Sequence, residues 1–163
     1  MKKKYIILVG PPCCGKSTWT DAFIEKTPDT TIVSRDGILM EYAKEINESM
    51  TYNVAWDTVS GKDVDKEYKR RLKESETYGE VNIIVDATNM GVKRRTGHMK
   101  NVSEEFDREV VVFPWDKKTF VERNAKRKEE TGKSISNGIW QSMVNNYKTP
   151  TKEEGFDKLT FLK

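Results

Sequence analysis

The chain has 163 residues, enough for one domain with a core of its own. Hydrophobic residues make up 36% and charged residues 34%, which implies a compact core under a charged surface, while a net charge of +3 is too small to establish an anionic partner. The apolar run after Met1-Lys2-Lys3-Lys4 is too short for a secretory leader, no stretch approaches the ~18 apolar residues of a membrane span, and adjacent Cys13 and Cys14 offer no disulfide framework, so a soluble intracellular protein is expected.

Lys4–Val9 is a continuous apolar run stopped by Gly10-Pro11-Pro12, the pattern of a strand buried on both faces. Trp19, Phe23 and Ile24 fall at helical spacing between Lys16 and Lys26, and Pro28 closes that helix. Thr30–Val33 predicts a second strand, and Asp36 opens a helix carrying Ile38, Leu39, Tyr42 and Ile46 on one face. Asn47 to Gly61 has no firm period and reads as a loop bearing Tyr52 and Trp56. Asp63–Tyr78 reads as a charged helix, Val81–Val85 as a strand ended by Asp86, and Val92–Val102 as a helix. Glu109–Phe113 predicts a fourth strand closed by Pro114. A basic helix follows at Asp116–Glu130, another helix at Asn137–Tyr147, and a short last strand at Leu159–Leu162. This alternation, with no repeat or low-complexity linker, predicts one α/β domain over residues 1–163 with a mostly parallel sheet. Ligands of such sheets sit beyond the carboxyl ends of the strands. Three polar motifs follow strands and should gather there; a fourth lies on the basic helix, which would have to fold over that edge.

The first motif is G-x-x-x-x-G-K-[ST], matched by Gly10, Gly15, Lys16 and Ser17 between a strand and a helix. Its glycines let successive amides turn toward phosphate oxygens, and the helix start adds its own amides and dipole. Lys16 is expected at the β- and γ-phosphates of a nucleoside triphosphate, with the Ser17 hydroxyl on Mg²⁺. Gly10, Pro12, Cys13, Cys14, Gly15, Lys16, Ser17 and Thr18 thus form the expected ATP site. Cys13 and Cys14 read as small side chains suited to a tight loop, against the alternative of a thiol activated by a helix N-terminus.

The other motifs concern the acceptor. Ser34-Arg35-Asp36 follows the second strand, where Asp36 could accept a hydroxyl proton or simply cap its helix. Asp86-Ala87-Thr88-Asn89 ends the third strand, where Asp86 could hold the Mg²⁺ shell through water or serve turn chemistry. Arg94 and Arg95 come next, with planar forks suited to phosphates. Arg123 and Arg127 stand four apart on one face of the basic helix, placed either to close over ATP or to lie in solvent. Tyr52 and Trp56 could stack on a base or be core aromatics. His98, the single histidine, receives no role.

Taken in order, the opening strand with GPPCCGKSTW, SRD at 34–36, VDATN at 85–89, Arg94-Arg95, Pro114-Trp115 and Glu122 to Arg127 resemble the polynucleotide 5′-kinase family. The kinase domain of phage polynucleotide kinase-phosphatases is especially similar, and the stretch from Tyr147 to Phe156 is similar to the tail of cellular repair kinases. The resemblance covers most of the chain. It implies a P-loop kinase fold with helices on both faces of the sheet and an arginine-bearing lid. It also implies transfer of the ATP γ-phosphate to a 5′-hydroxyl of DNA or RNA, and is compatible with a phage-encoded protein acting inside a host cell. In that picture Lys16, Asp36 and Arg127 are catalytic, and Ser17 and Asp86 support the metal. Arg123 and Arg127 cover the nucleotide, and Arg35, Asp36, Asp86, Asn89, Arg94 and Arg95 face the nucleic acid.

Two departures stand out. The phage pattern has an arginine three residues beyond the Asp, to grip the acceptor's phosphate; here that place holds Leu39. The sequence also stops at Lys163 with no phosphatase domain following, so 3′-end repair is not expected of it. Kinases of hydroxymethylated bases in phage DNA, and small-metabolite or toxin-like P-loop kinases, remain alternative readings.

Overall fold

The computed structural model describes residues 1–77 and 79–163. Five strands form one parallel sheet in the order β2-β3-β1-β4-β5: β1 (Lys3–Val9), β2 (Thr30–Ser34), β3 (Asn82–Asp86), β4 (Phe106–Val112) and β5 (Lys158–Phe161). The central strand β1 is as dry as its unbroken apolar run predicts: Tyr5 through Val9 have no exposed surface. One core lies on the side of Tyr5, Ile7 and Val9 with Ile83, Phe106 and Phe156, and a smaller one on the side of Ile6, Leu8 and Ile84 with Phe113.

The helices are α1 (Lys16–Lys26), α2 (Arg35–Ile46), α3 (Tyr52–Thr58), α4 (Gly61–Ser75), α5 (Val92–Met99), α6 (Lys117–Thr131) and α7 (Asn137–Asn145). The segment expected to be a loop contains α3. Tyr52 and Ala55, three residues apart, are its buried positions, and they close a separate core with Ile38, Leu39, Ala43 and Val64. Two such positions are too few to raise a period in sequence, so tertiary packing makes this helix. Helix α4 starts two residues before the expected Asp63, because the Ser60 hydroxyl accepts from the Asp63 amide; its expected end, Tyr78, lies outside the described residues. Strand β4 starts at Phe106 rather than Glu109, since its backbone pairs with β1 from Lys3 onward through the polar Asp107 and Arg108.

Among the described residues no helix is long and apolar enough to cross a membrane. The all-parallel arrangement puts the loops after β1, β2 and β3 at one edge of the sheet.

Candidate active site

The loop after β1 is a tight cradle. A Cβ on Gly10 would lie 2.5 Å from Cys14 Sγ and 3.2 Å from Phe113 Cβ, so a side chain where the chain leaves the sheet would push Cys14 aside and crowd Phe113. Cys13 (φ 65°) and Gly15 (φ 101°) take the left-handed conformation, which curls the loop into the start of α1. Gly15 caps α1 without a side-chain bond, leaving the first amides of the helix for an anion. Ser17 and Thr18 sit exposed on its first turn. Lys16 Nζ folds back over the loop and donates to the carbonyls of Gly10 (2.6 Å) and Pro11 (3.0 Å). Burial lowers its pKa, while the carboxylates of Asp86 and Asp36 oppose that effect. Burial pushes the Cys14 thiol up, the opposite of an activated nucleophile.

Asp36 is not the cap of α2. That place belongs to Ser34, whose hydroxyl accepts from the Gly37 amide at 3.1 Å. Freed from capping, the Asp36 carboxylate takes the Tyr52 hydroxyl on one oxygen (3.0 Å) and Lys133 Nζ on the other (3.0 Å). Lys133 Nζ also stands 4.2 Å from the centre of the Tyr52 ring. Burial and the neighbouring carboxylate push the Tyr52 hydroxyl up. Lys133 has no counterpart in the sequence expectations. It lies 97 residues from Asp36, and nothing local marks it except the Gly132 that ends α6 in the left-handed conformation.

Helix α6 spans the site. Asp116 caps it by accepting from the Thr119 amide. Arg123 Nη1 then donates to the Cys13 carbonyl of the cradle at 3.0 Å. One turn on, Arg127 Nε and Nη2 are shielded from solvent and have no protein acceptor among the described residues. Its charge is felt at Tyr52, so these orphaned donors belong to the same neighbourhood and suit an anion. Beyond α6 the chain is pinned to the start of α3. Ser134 and Asn53 exchange two hydrogen bonds, and Gly132 lies so close to Thr51 that a Cβ there would come within 3.1 Å. A cleft of about 200 Å³ between α6 and the cradle is bordered by Pro12, Cys13, Pro114, Trp115 and Arg123.

Asp86 completes the cluster. Burial raises its pKa, opposed by the charges of Lys16 and Lys133. Neither its carboxylate nor the Ser17 hydroxyl makes a hydrogen bond among the described residues, so both are free oxygen donors. No group of three or more His, Cys, Asp or Glu that could hold a metal occurs among the described residues. Two side chains with free oxygens fit Mg²⁺, which takes most of its ligands from water and substrate phosphates.

Arg95 and Asn89 are not at the site. Arg95 has no exposed surface: its guanidinium pairs with Glu154 at 2.7 Å and donates to the carbonyls of Asn89, Met90 and Lys148. It locks α5 to the turn at Lys152–Glu154, so its expected phosphate contact is withdrawn. Asn89 is equally buried and also structural, donating to the Leu8 carbonyl at 2.8 Å and meeting His98 Nε2 through its other amide atom. His98 is thereby satisfied, and burial holds its pKa down at about 4. Arg94 is exposed and lines a cleft of about 630 Å³ with Thr88, Met90, Lys93 and Met143. Arg35, the residue before Asp36, is bonded through Nε to Asp65 and lies over the Trp56 ring. Leu39 is 2% exposed, in the core beneath α2 and α3, where an arginine would bury a charge.

A phosphate cradle at the carboxyl edge of a parallel sheet, faced by a carboxylate and crossed by an arginine-bearing helix, is the architecture of a nucleotide-binding P-loop domain of the kinase fold. The chain belongs to the AAA domain family, which matches residues 6–150. A chain of the Pnkp1/Rnl/Hen1 RNA repair complex is 25% identical, with a TM-score of 0.69 over 89% of this chain and 44% of that one. This protein thus spans less than half the length of that relative. The fold is shared with a structure of the PezAT toxin-antitoxin system of Streptococcus pneumoniae, at 13% identity and a TM-score of 0.69 over 99% of this chain and 67% of that one. It is shared too with a gluconokinase from Sinorhizobium meliloti, at 12% identity and a TM-score of 0.56 over 98% and 81%. No curated protein sequence matches the chain. The RNA-repair match agrees with the polynucleotide-kinase likeness of the motifs.

Proposed function

We propose that the protein is a Mg²⁺- and ATP-dependent kinase that moves the γ-phosphate of ATP to a primary hydroxyl of a nucleic acid, the 5′-hydroxyl end of DNA or RNA. The observation that carries transfer, rather than mere nucleotide binding, is Asp36. Its carboxylate is half-exposed, free of any capping duty, and in electrostatic reach of Lys16 in the cradle. The RNA-repair chain at 25% identity supports a nucleic-acid acceptor.

In this reading the acceptor hydroxyl bonds to Asp36 and gives it the proton as its oxygen bonds to the γ-phosphorus. The bond from that phosphorus to the β–γ bridging oxygen breaks, and ADP leaves. Lys16 turns from the Gly10 and Pro11 carbonyls to the β- and γ-phosphates. Arg127 supplies its unpartnered donors to the transferring group, and Arg123 closes the nucleotide side. Mg²⁺, held by Ser17 and through water by Asp86, would supply further positive charge at the phosphate oxygens. Lys133 holds one Asp36 oxygen and so orients the carboxylate, whose oxygens keep further lone pairs for the acceptor hydroxyl.

Asp36→Asn removes the base and keeps the shape. It should abolish label transfer from γ-labelled ATP to a 5′-hydroxyl oligonucleotide while ATP affinity stays at the wild-type value. Transfer at the wild-type rate would take the base role from Asp36.

A further inference from the structure

Next to Asp36 the surface carries an aromatic group that no step of the chemistry uses. Trp56 is 56% exposed, although it belongs to a helix whose Tyr52 and Ala55 are buried. It stands one turn from Tyr52, with ring centres 6.2 Å apart, and Tyr52 itself bonds to Asp36. The Arg35 guanidinium, from the residue before Asp36, lies 5.2 Å from the centre of the Trp56 ring. Arg35 uses only Nε, for Asp65, and its other two nitrogens make no hydrogen bond among the described residues. The result is an indole ring and two unused planar donors beside the carboxylate proposed to activate the acceptor. The position that would place an arginine here by sequence, Leu39, is in the core instead.

We infer that Trp56 and Arg35 form the acceptor's nucleotide subsite. The base of the 5′-terminal nucleoside stacks on the ring surface that Trp56 leaves to solvent, and the phosphodiester on its 3′ side meets the free nitrogens of Arg35. A flat apolar face next to a fork of donors matches a nucleotide, whose base is a π surface joined through the sugar to an anion. A polyhydroxy acid such as gluconate has no group for the ring. Stacking does not read base edges, so the subsite accepts any base.

This inference rests on the proposed nucleic-acid acceptor, and its test separates the two. KM for the acceptor is measured in γ-label transfer with wild type, Trp56→Ala and Trp56→Phe. Each is given a 5′-hydroxyl oligonucleotide and the same oligonucleotide with an abasic 5′-terminal residue. Loss of one stack should raise KM about 5- to 150-fold, either by Trp56→Ala on the full acceptor or by the abasic end on wild type. The two losses should not multiply, and Trp56→Phe should fall between wild type and Trp56→Ala. A wild-type KM for Trp56→Ala, or losses that multiply, overturns the subsite and leaves the acceptor class standing. Wild type that labels no oligonucleotide removes both.

Discussion

Replacing Arg95 by methionine separates a structural arginine from a substrate-binding one. Its guanidinium is fully buried, with Glu154 5% exposed beside it at 2.7 Å and three backbone carbonyls as further acceptors. Methionine fills much of the volume but leaves the Glu154 carboxylate buried, with the Thr151 amide as its remaining partner. Removing one member of a buried pair costs about 3–5 kcal/mol. For a chain of this length each kcal/mol moves Tm by about 2–4 °C, so Arg95→Met should melt about 6–20 °C below wild type. Pairing it with Glu154→Leu removes the stranded carboxylate and should recover part of the loss. The assay is thermal unfolding followed by circular dichroism at neutral pH, with acceptor KM measured at a temperature where the variant is folded. A melt within about 2 °C of wild type, or a raised KM in the folded variant, would refute the interior role.

His98 gives a pH dependence. Its folded pKa of about 4 lies below the unfolded value of about 6.5, so the unfolded chain binds the extra proton first. The contribution, about 3 kcal/mol, is therefore complete above pH 6.5 and lost as pH falls toward 4; His98→Gln should flatten the fall of Tm over that window, and an unchanged slope would contradict the assignment. Lys133→Met should cut transfer about tenfold or more with little change in Tm, because a half-exposed ion pair contributes at most about 1 kcal/mol to folding. Lys133→Arg should restore part of the turnover. A large drop in Tm, with kcat intact, would make Lys133 a structural residue only.

The parallel sheet was legible because β1 and β3 are unbroken apolar runs and the cradle has a fixed spacing. The positions of Asp36, Asp86 and Arg127 near the cradle were legible for the same reason: each sits just after a strand or on the basic helix. What escaped depends on contacts across the chain. Lys133 meets Asp36 from 97 residues away, and α3 exists through only two buried positions packed on α2 and α4. Arg95 and Arg94 are adjacent and chemically alike, and only the course of α5 decides that one enters the core and the other faces solvent. Trp56 and Tyr52 were ambiguous as a pair; the helix gives one to the interior and one to the surface.

Whether the acceptor is a primary hydroxyl on a nucleic acid is decided by offering γ-labelled ATP and Mg²⁺ with four acceptors side by side. These are a 5′-hydroxyl oligonucleotide, a DNA duplex with hydroxymethylated bases, free nucleosides and gluconate. The oligonucleotide should take label at its 5′ end with the highest kcat/KM, and its binding should weaken as salt is raised. Label on gluconate or nucleosides in preference to the oligonucleotide, or none on the oligonucleotide at all, would contradict a nucleic-acid acceptor.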